Sequence, residues 1–107
     1  ISNILMNKYK NSKTIVDGHK FDSQKEARYY GTLKMRKLAG EIKDFTLQET
    51  YLLDVNNVRI GKYIADFKII HLNGLFEVVD VKGFKTPIYN IKKKLMKAIH
   101  GIEIKEI

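Results

Sequence analysis

Apolar and polar residues alternate along the middle of the chain, as they do in β-strands with one buried face. Tyr63–Ile70 and Leu75–Val81 are rich in Ile, Val, Phe and Tyr, and Asn73 and Gly74 lie between them. The Asn-Gly pair is one that tight hairpin turns favour. The pattern therefore predicts an antiparallel hairpin at the centre of the fold.

Three further stretches follow the same two-residue period. Thr14–Phe21 alternates around an Asp-Gly pair and predicts a short hairpin, and Ile102–Ile107 predicts a closing strand. Glu41–Val55 predicts a long strand, followed by a turn at two asparagines and carrying Gln48 and Glu49 in its middle on opposite faces. The apolar residues of this long strand share one face: Phe45, Leu47, Tyr51 and Leu53.

Helical spacing predicts a first helix from Ser23 to about Ala39. Ser23 and Glu26 form a capping box, in which the serine accepts from a first-turn amide and the glutamate reaches back. Gly40 lies where a C-terminal cap is expected. The predicted apolar face consists of Ala27, Tyr30, Gly31, Met35 and Leu38.

A second helix is predicted between Thr86 and Gly101. Thr86 is followed by proline at the first helical position, and Gly101 ends the pattern. The predicted apolar face consists of Ile88, Ile91, Leu95, Ala98 and Ile99, with Lys93, Lys94 and Lys97 on the solvent side.

The elements after the first hairpin follow the order helix, three antiparallel strands, helix, strand. We therefore expect an α/β protein of the α+β type, with a mixed central sheet flanked by helices. The 107 residues fit a single domain. Residues 1–11 are expected to form a flexible N-terminal segment, and residues 1–5, which precede a natural start at Met6, are left out of the fold prediction.

Composition restricts the classes of function. The chain has no cysteine, so it offers neither a disulfide framework nor a thiolate zinc site. It has no apolar run long enough to cross a membrane and no signal peptide, so we expect a cytoplasmic protein without a membrane partner.

Positive charge is concentrated near the C-terminal end. Of the formal net charge of +8, the segment 81–102 contributes six lysines and no acid. This concentration favours a polyanionic partner, and we expect DNA contacts from Lys85, Lys93, Lys94 and Lys97. A solvated lysine-rich helix face is the alternative interpretation.

The predicted central hairpin carries three charged residues among apolar ones. Asp66 lies in its first strand, while Asp80 and Lys82 end its second strand two residues apart and therefore point the same way. A buried charge must be paired, hydrated or bound to a metal. A simple ion pair at the edge of the sheet and a functional site both explain this pattern.

This arrangement resembles the PD-(D/E)XK, or restriction-endonuclease-like, nuclease superfamily. Within it, the chain resembles a family of small phage and prophage proteins catalogued as a domain of unknown function and, more remotely, the endonuclease I junction resolvases of T-odd bacteriophages. The resemblance lies in Ser23-x-x-Glu26, in Asp66 followed by Phe67, and in Asp80-Val81-Lys82-Gly83. Alanine replaces the proline before Asp66, and Asp80 stands where glutamate is commoner.

The resemblance implies a restriction-endonuclease-like core and a metal-dependent DNA endonuclease, acting on branched DNA such as Holliday junctions. Carboxylates gather Mg²⁺ or Mn²⁺, which prefer oxygen ligands. We expect Asp66 and Asp80 as the central ligands, assisted by the Val81 carbonyl and by Glu26. Lys82 is expected to orient the attacking water or to stabilise charge on the phosphate. Glu26 could instead be only a capping carboxylate.

Two further expectations concern partners. A symmetric homodimer is expected, because a junction has paired strands to cut, the apolar face of the long strand is extensive, and the resolvases resembled are dimers. No nucleotide cofactor is expected. The alternative function is a non-catalytic DNA-binding or phage accessory protein that retains the fold.

Overall fold

The computed structural model describes residues 13–107, and the N-terminal segment predicted for residues 1–11 lies outside this range. The fold is α+β, as predicted, with two helices and six strands among the described residues. In chain order these are β1 Thr14–Val16, β2 His19–Phe21, α1 Gln24–Leu38, β3 Asp44–Val55, β4 Val58–Ile70, β5 Phe76–Asp80, α2 Pro87–His100 and β6 Ile104–Glu106.

A mixed four-stranded sheet forms the centre of the molecule. Its order is β3-β4-β5-β6, with the first three strands antiparallel and β6 parallel to β5. The return to β6 in parallel needs a crossover, which α2 supplies. The predicted order of elements is confirmed. Strands β1 and β2 form a separate hairpin before α1.

Local turn and cap chemistry explains where the elements end. Asn56 and Asn57 have φ angles of 50° and 66°, which is the left-handed pair that a tight hairpin turn between β3 and β4 needs. The Ser23 side chain accepts from the Glu26 amide at 3.1 Å and caps α1. Thr86 caps α2 in the same way, and Gly101 ends α2 at φ 67°.

Two apolar clusters cover opposite faces of the sheet. Val78 and Val79 are adjacent in β5, so they point to opposite faces, and each belongs to a different cluster. The buried members of the α1 cluster are Phe21, Ala27, Tyr30, Leu33, Ile42, Phe67, Ile69 and Val79. Those of the α2 cluster are Leu53, Tyr63, Ala65, Val78, Tyr89, Met96 and Ile104.

The predicted apolar face of α1 is wrong at its C-terminal end. Met35 and Leu38 are exposed, whereas Leu33, which the prediction left out, is fully buried. The helix contacts the sheet and the β1–β2 hairpin mainly through its first two and a half turns, so its last turn points into solvent. The spacing of apolar residues could not show where the sheet ends beneath the helix.

The predicted face of α2 is rotated in a similar way. Tyr89 and Met96 are its buried residues, while Ile88, Ile91 and Ala98 are exposed. The Tyr89 ring turns towards the sheet because its hydroxyl donates to the Glu106 carboxylate at 2.7 Å. This leaves two isoleucines of the N-terminal half of α2 uncovered.

The apolar residues of β3 pack inside the molecule, against the expectation of surplus apolar surface. The prediction that they share one face is wrong, because they divide between the clusters on the two faces of the sheet. Phe45 and Leu47 contact the α1 cluster, Tyr51 contacts the α2 cluster, and Leu53 is buried within the latter. One argument for a homodimer is thereby removed, and the oligomeric state stays a prediction. No helix in residues 13–107 is long and apolar enough to cross a membrane.

Candidate active site

The candidate site lies near the middle of β4, where the buried side chains of the strand pass from the α2 cluster to the α1 cluster. Tyr63 and Ala65 belong to the α2 cluster, but Phe67 and Ile69 belong to the α1 cluster. Residues two apart stay on one face of a regular strand. The change of cluster therefore places an irregularity at Asp66, between Ala65 and Phe67.

The neighbouring strand shows the same irregularity. The pairing of β3 with β4 passes from Leu47 opposite Phe67 to Glu49 opposite Ala65, and Gln48 and Asp66 do not pair between them. Gln48 has a φ of 54°, in the left-handed region that glutamine rarely occupies. Both strands are thus distorted at one level, which releases the Asp66 backbone from the ladder.

Asp66 and Asp80 lock β4 and β5 together by a reciprocal pair of hydrogen bonds. The Asp66 amide donates to Oδ1 of Asp80 at 2.9 Å, and the Val81 amide donates to Oδ2 of Asp66 at 2.9 Å. Each carboxylate therefore accepts from the backbone of the other strand where the regular β4–β5 ladder stops. Beyond the Phe67–Val79 pair, hydrogen bonds to the Asp66 and Asp80 side chains therefore join the two strands in place of the backbone ladder.

Asp80 is buried, at 1% exposure, and its carboxylate is bound by other residues of the site. Its Oδ2 accepts from the Tyr63 hydroxyl and lies 3.2 Å from Nζ of Lys82. A buried carboxylate is stable only when it is compensated in this way. Asp80 consequently organises the centre of the site as well as belonging to it.

Lys82 is held from its backbone and from its side chain. Its amide donates to the carbonyl of Ile107 at 3.0 Å, which extends the parallel pairing of β5 and β6 by two residues. Its ammonium lies 4.1 Å from the centre of the Tyr89 ring, a cation–π distance, and also pairs with Asp80. The ammonium is therefore fixed beside the carboxylates.

Glu26 reaches the site from the first turn of α1. It is 5% exposed, and burial followed by the nearby Asp66 carboxylate raises its pKa to about 7. The Gln48 side-chain amide donates to its Oε1 at 3.4 Å, while its own backbone amide is capped by Ser23. Capping and site interpretations of Glu26 are thus compatible, because the backbone carries the cap and the side chain faces the sheet.

Burial also raises the pKa of Asp66 above the ordinary carboxyl value. The Val81 amide, the Lys82 charge and the Gln48 amide act in the opposite direction. Glu26 and Asp66 therefore face each other as two desolvated carboxylates, and one lysine, already shared with Asp80, compensates them only in part.

An open cleft of about 620 Å³ gives access to these groups. Glu26, Asp66, Val81 and Lys82 line it, whereas Asp80 lies behind its wall. The remaining lining residues come from the start of α1 and from the loop before α2: Asp22, Ser23, Lys25, Gly83, Phe84 and Thr86. The structure thus brings together all four predicted catalytic residues, three of them at the surface of one cleft.

The predicted DNA-binding lysines lie outside this cleft, and three of them are paired with acids. Lys85 and Lys93 contact the Glu106 carboxylate at 2.9 and 3.3 Å, and Lys97 contacts Glu103 at 2.7 Å. Glu106 belongs to β6 and Glu103 directly precedes it, so both acids lie just beyond the segment that the sequence marks as free of acid. Lys93 keeps 40% of its side chain exposed, as expected for the solvent side of α2, but its ammonium is paired with Glu106.

Four residues of the site were not predicted from the sequence. Tyr63 and Tyr89 contact Asp80 and Lys82 but are ordinary aromatic residues in their apolar patterns. Asp22 adds a third acid to the lining of the cleft, beside Glu26 and Asp66. Gln48 gave no indication either, because the two-residue alternation puts it on the polar face of the strand with Thr46 and Thr50.

The donor set fits a hard divalent cation. Glu26, Asp66 and the Val81 carbonyl offer oxygen ligands, and the raised pKa of the two cleft carboxylates expresses a shortage of nearby positive charge. Among residues 13–107, however, no group of three or more acids or histidines is already arranged as a metal-binding cluster. Asp80 is directed at Tyr63 and the Asp66 amide instead.

The fold and site define a small α+β protein with a carboxylate and lysine cluster at a break in its central sheet. The chain belongs to the family described as "Protein of unknown function (DUF1064)", which matches residues 6–105. No curated protein and no solved structure matches it.

Proposed function

We propose that this protein is a divalent-cation-dependent endonuclease that hydrolyses phosphodiester bonds in DNA. The observation that carries the proposal is the convergence of Glu26, Asp66, Asp80 and Lys82, from one helix and two strands, at one cleft. Three acids and a lysine are the groups that metal-assisted phosphodiester hydrolysis needs. The preference for branched DNA, including Holliday junctions, rests on the sequence resemblance.

Mg²⁺ or Mn²⁺, held by Asp66, Glu26 and the Val81 carbonyl, would activate a water molecule and neutralise the phosphate. Asp80 would position Asp66 through its backbone amide, and would join the ligands only by releasing one of its present partners. The residues of the chain have separate tasks. Lys82 presents its ammonium, held by Asp80 and Tyr89, to the negative charge that develops on the phosphate oxygens. Glu26, buried at the first turn of α1 beside Asp66, completes the group of carboxylates that faces the cleft.

A non-catalytic DNA-binding protein is the second candidate. The observation that favours it is the complete engagement of Asp80, whose two oxygens are occupied by Tyr63, Lys82 and the Asp66 amide. In this case the cluster would serve to join β4 to β5, and the lysines alone would contact phosphate.

A cleavage assay separates the two candidates. Purified protein is incubated with a labelled four-way junction, a duplex and a single strand, each in Mg²⁺, Mn²⁺ or EDTA. We expect incision of the junction that needs the metal and is lost in Asp66→Asn. The matched control is Asp54→Asn, which removes an exposed carboxylate paired with Arg59 near the β3–β4 turn, away from the cleft.

Retained DNA binding without cleavage of any substrate by the wild-type protein would favour the second candidate. Full activity of Asp66→Asn would refute the site assignment. Asp66 is preferred to Asp80 for this test, because removing the Asp80 carboxylate leaves the Tyr63 hydroxyl and the Asp66 amide without their acceptor, at about 1–3 kcal/mol for each buried group.

A further inference from the structure

The lysines differ in whether an acid neutralises them. Glu106 and Glu103 hold Lys85, Lys93 and Lys97. Lys62 and Lys92, by contrast, form no ion pair with any acid in residues 13–107, and residues 1–12 contain no acid in their sequence. Their charge is therefore available to an external anion.

Lys62 and Lys92 lie in the same hollow, which is a neighbour of the active-site cleft. The hollow has a volume of about 310 Å³ and includes Thr86, which also lines the cleft. Lys92 reaches from α2 across to β4, where its Cε lies 4.0 Å from the position of a β-carbon on Gly61. The hollow is lined by Lys62, Tyr63, Ile64, Thr86, Ile88, Tyr89 and Lys92.

The floor of the hollow is apolar although it is open to solvent. Ile64 is 44% exposed and Ile88 is 66% exposed, and both line the hollow together with the two tyrosines. In the cleft, which shares Thr86 with the hollow, Phe84 is 83% exposed. Two lysines without an acid partner, beside exposed apolar side chains, complement a ligand that has both phosphates and flat apolar surfaces.

We propose that this hollow, the Lys62–Lys92 subsite, binds an unpaired DNA strand that continues from the active-site cleft past Thr86. The inference rests on the proposed function and names its substrate class: DNA that is single-stranded beside the cut. The strand must be unpaired because a duplex hides the faces of its bases in the stack, whereas an unpaired base can lie on Ile64 and Ile88.

The charge requirement is tested by equilibrium binding in EDTA, where no cleavage occurs. A labelled single strand and a duplex of equal length are titrated with Lys62→Gln/Lys92→Gln across a range of salt concentrations. The control is Lys20→Gln/Lys43→Gln, which removes two exposed lysines from outside the hollow. Neither control lysine pairs with an acid in the described part of the chain.

We expect the subsite variant to bind the single strand about tenfold more weakly near 0.1 M salt. Its salt slope should fall by about 1.4, since each lost single-strand contact removes about 0.7. Duplex binding should change no more than in the control. Equal single-strand affinity of the two double variants would overturn the inference, and so would equal losses on single strand and duplex.

The apolar floor has its own test. Ile88→Ser should weaken binding of the single strand without changing the salt slope, because it removes contact area and no charge. Ile91→Ser, one turn further along α2 and 58% exposed, is the matched control. Both side chains are exposed, so neither change should prevent folding. Equal affinities of these two variants would overturn the role of the floor.

These binding results are independent of the cleavage assay. A protein that binds through the subsite but cuts nothing would refute the endonuclease and leave the subsite intact. Metal-dependent cleavage with no effect of the subsite variants would refute the subsite alone. A wild-type protein that binds no DNA would refute both.

Discussion

Glu26 connects the capping of a helix with the chemistry of the cleft. Its backbone amide is bound by Ser23, while its side chain lies at the bottom of the cleft with Gln48 as its hydrogen-bond partner. Burial and the Asp66 charge raise its pKa from the ordinary 4.5 to about 7. Between pH 4.5 and about 7, therefore, the folded protein still holds a proton on Glu26 that the unfolded chain has released.

The free energy of unfolding should fall as the pH rises from about 4.5 to about 7 and then level off. The sign follows because the folded state holds more protons than the unfolded state in that window. Glu26→Gln should resemble the wild type at pH 5 and be more stable at pH 8, by about 1–3 kcal/mol. Urea unfolding at several pH values measures this difference.

Glu41→Gln is the control for that experiment, because Glu41 is exposed in the connection between α1 and β3. It should follow the wild-type curve. Part of the decline should persist in Glu26→Gln, since the pKa of Asp66 is raised too. Parallel curves for the wild type and Glu26→Gln would show that the Glu26 carboxyl is not perturbed in the folded state.

At the scale of the elements, the break in the β3–β4 ladder positions the site. Gln48 takes a left-handed backbone at the level where β4 changes its face, and the Asp66 amide is thereby free to bind Asp80. The side-chain amide of Gln48 also donates to the Glu26 carboxyl. Strand geometry and carboxylate positions are thus linked through one side chain.

The Gln48→Gly variant should be at least as stable as Gln48→Ala, whereas glycine in a strand is ordinarily less stable than alanine. A left-handed backbone costs an L-residue about 1–2 kcal/mol but costs glycine nothing, and this offsets the flexibility of glycine in the unfolded chain. At Thr50, an exposed position with regular pairing, Gly should be about 0.5–1 kcal/mol less stable than Ala.

Denaturant unfolding of the four variants measures both differences. Gln48→Gly and Gln48→Ala should also lose cleavage equally, because both remove the amide that contacts Glu26. A position 48 that behaves like position 50 would mean that its left-handed backbone does not persist in solution.

At the scale of the molecule, only some of the lysines behind the formal net charge of +8 are free to bind an external anion. The basic helix α2 runs beside β6, whose Glu106 is held by Lys85, Tyr89 and Lys93. These contacts lower the pKa of Glu106 to about 2, with the Lys85 contact as the largest cause. The lysines that dominate the sequence are therefore partly neutralised, and the candidate cleft and the proposed Lys62–Lys92 subsite lie elsewhere.

Glu106→Gln should bind DNA more tightly and with a steeper salt dependence than the wild type. The change releases Lys85 and Lys93, whereas the amide oxygen can still accept from the Tyr89 hydroxyl. The salt slope should rise by up to about two, which is the number of lysines released. Glu41→Gln makes the same change of net charge at another site, and an equal effect there would mean that only the total charge matters.

The sequence by itself determined the elements and the neighbours along the chain. Left-handed pairs at 17–18 and 56–57, Ser23 and Thr86 as caps and the two-residue alternation are local rules that placed their elements. The tight turn predicted at Asn73 and Gly74 is wrong, because only Gly74 is left-handed and the longer loop 71–75 joins β4 to β5. Strand parity likewise put Asp80 and Lys82 on one side, where they form an ion pair. The predicted α+β fold and its order of elements followed from these local preferences.

The tertiary structure alone decided which residues meet across elements. Sequence spacing could not show that β4 changes its face at Asp66, that Tyr63 and Tyr89 enclose the Asp80–Lys82 pair, or that Glu106 neutralises two lysines. Nor could it show how far α1 extends beyond the sheet. These contacts join residues far apart in the chain, and their free energy depends on distances and burial that no local pattern contains.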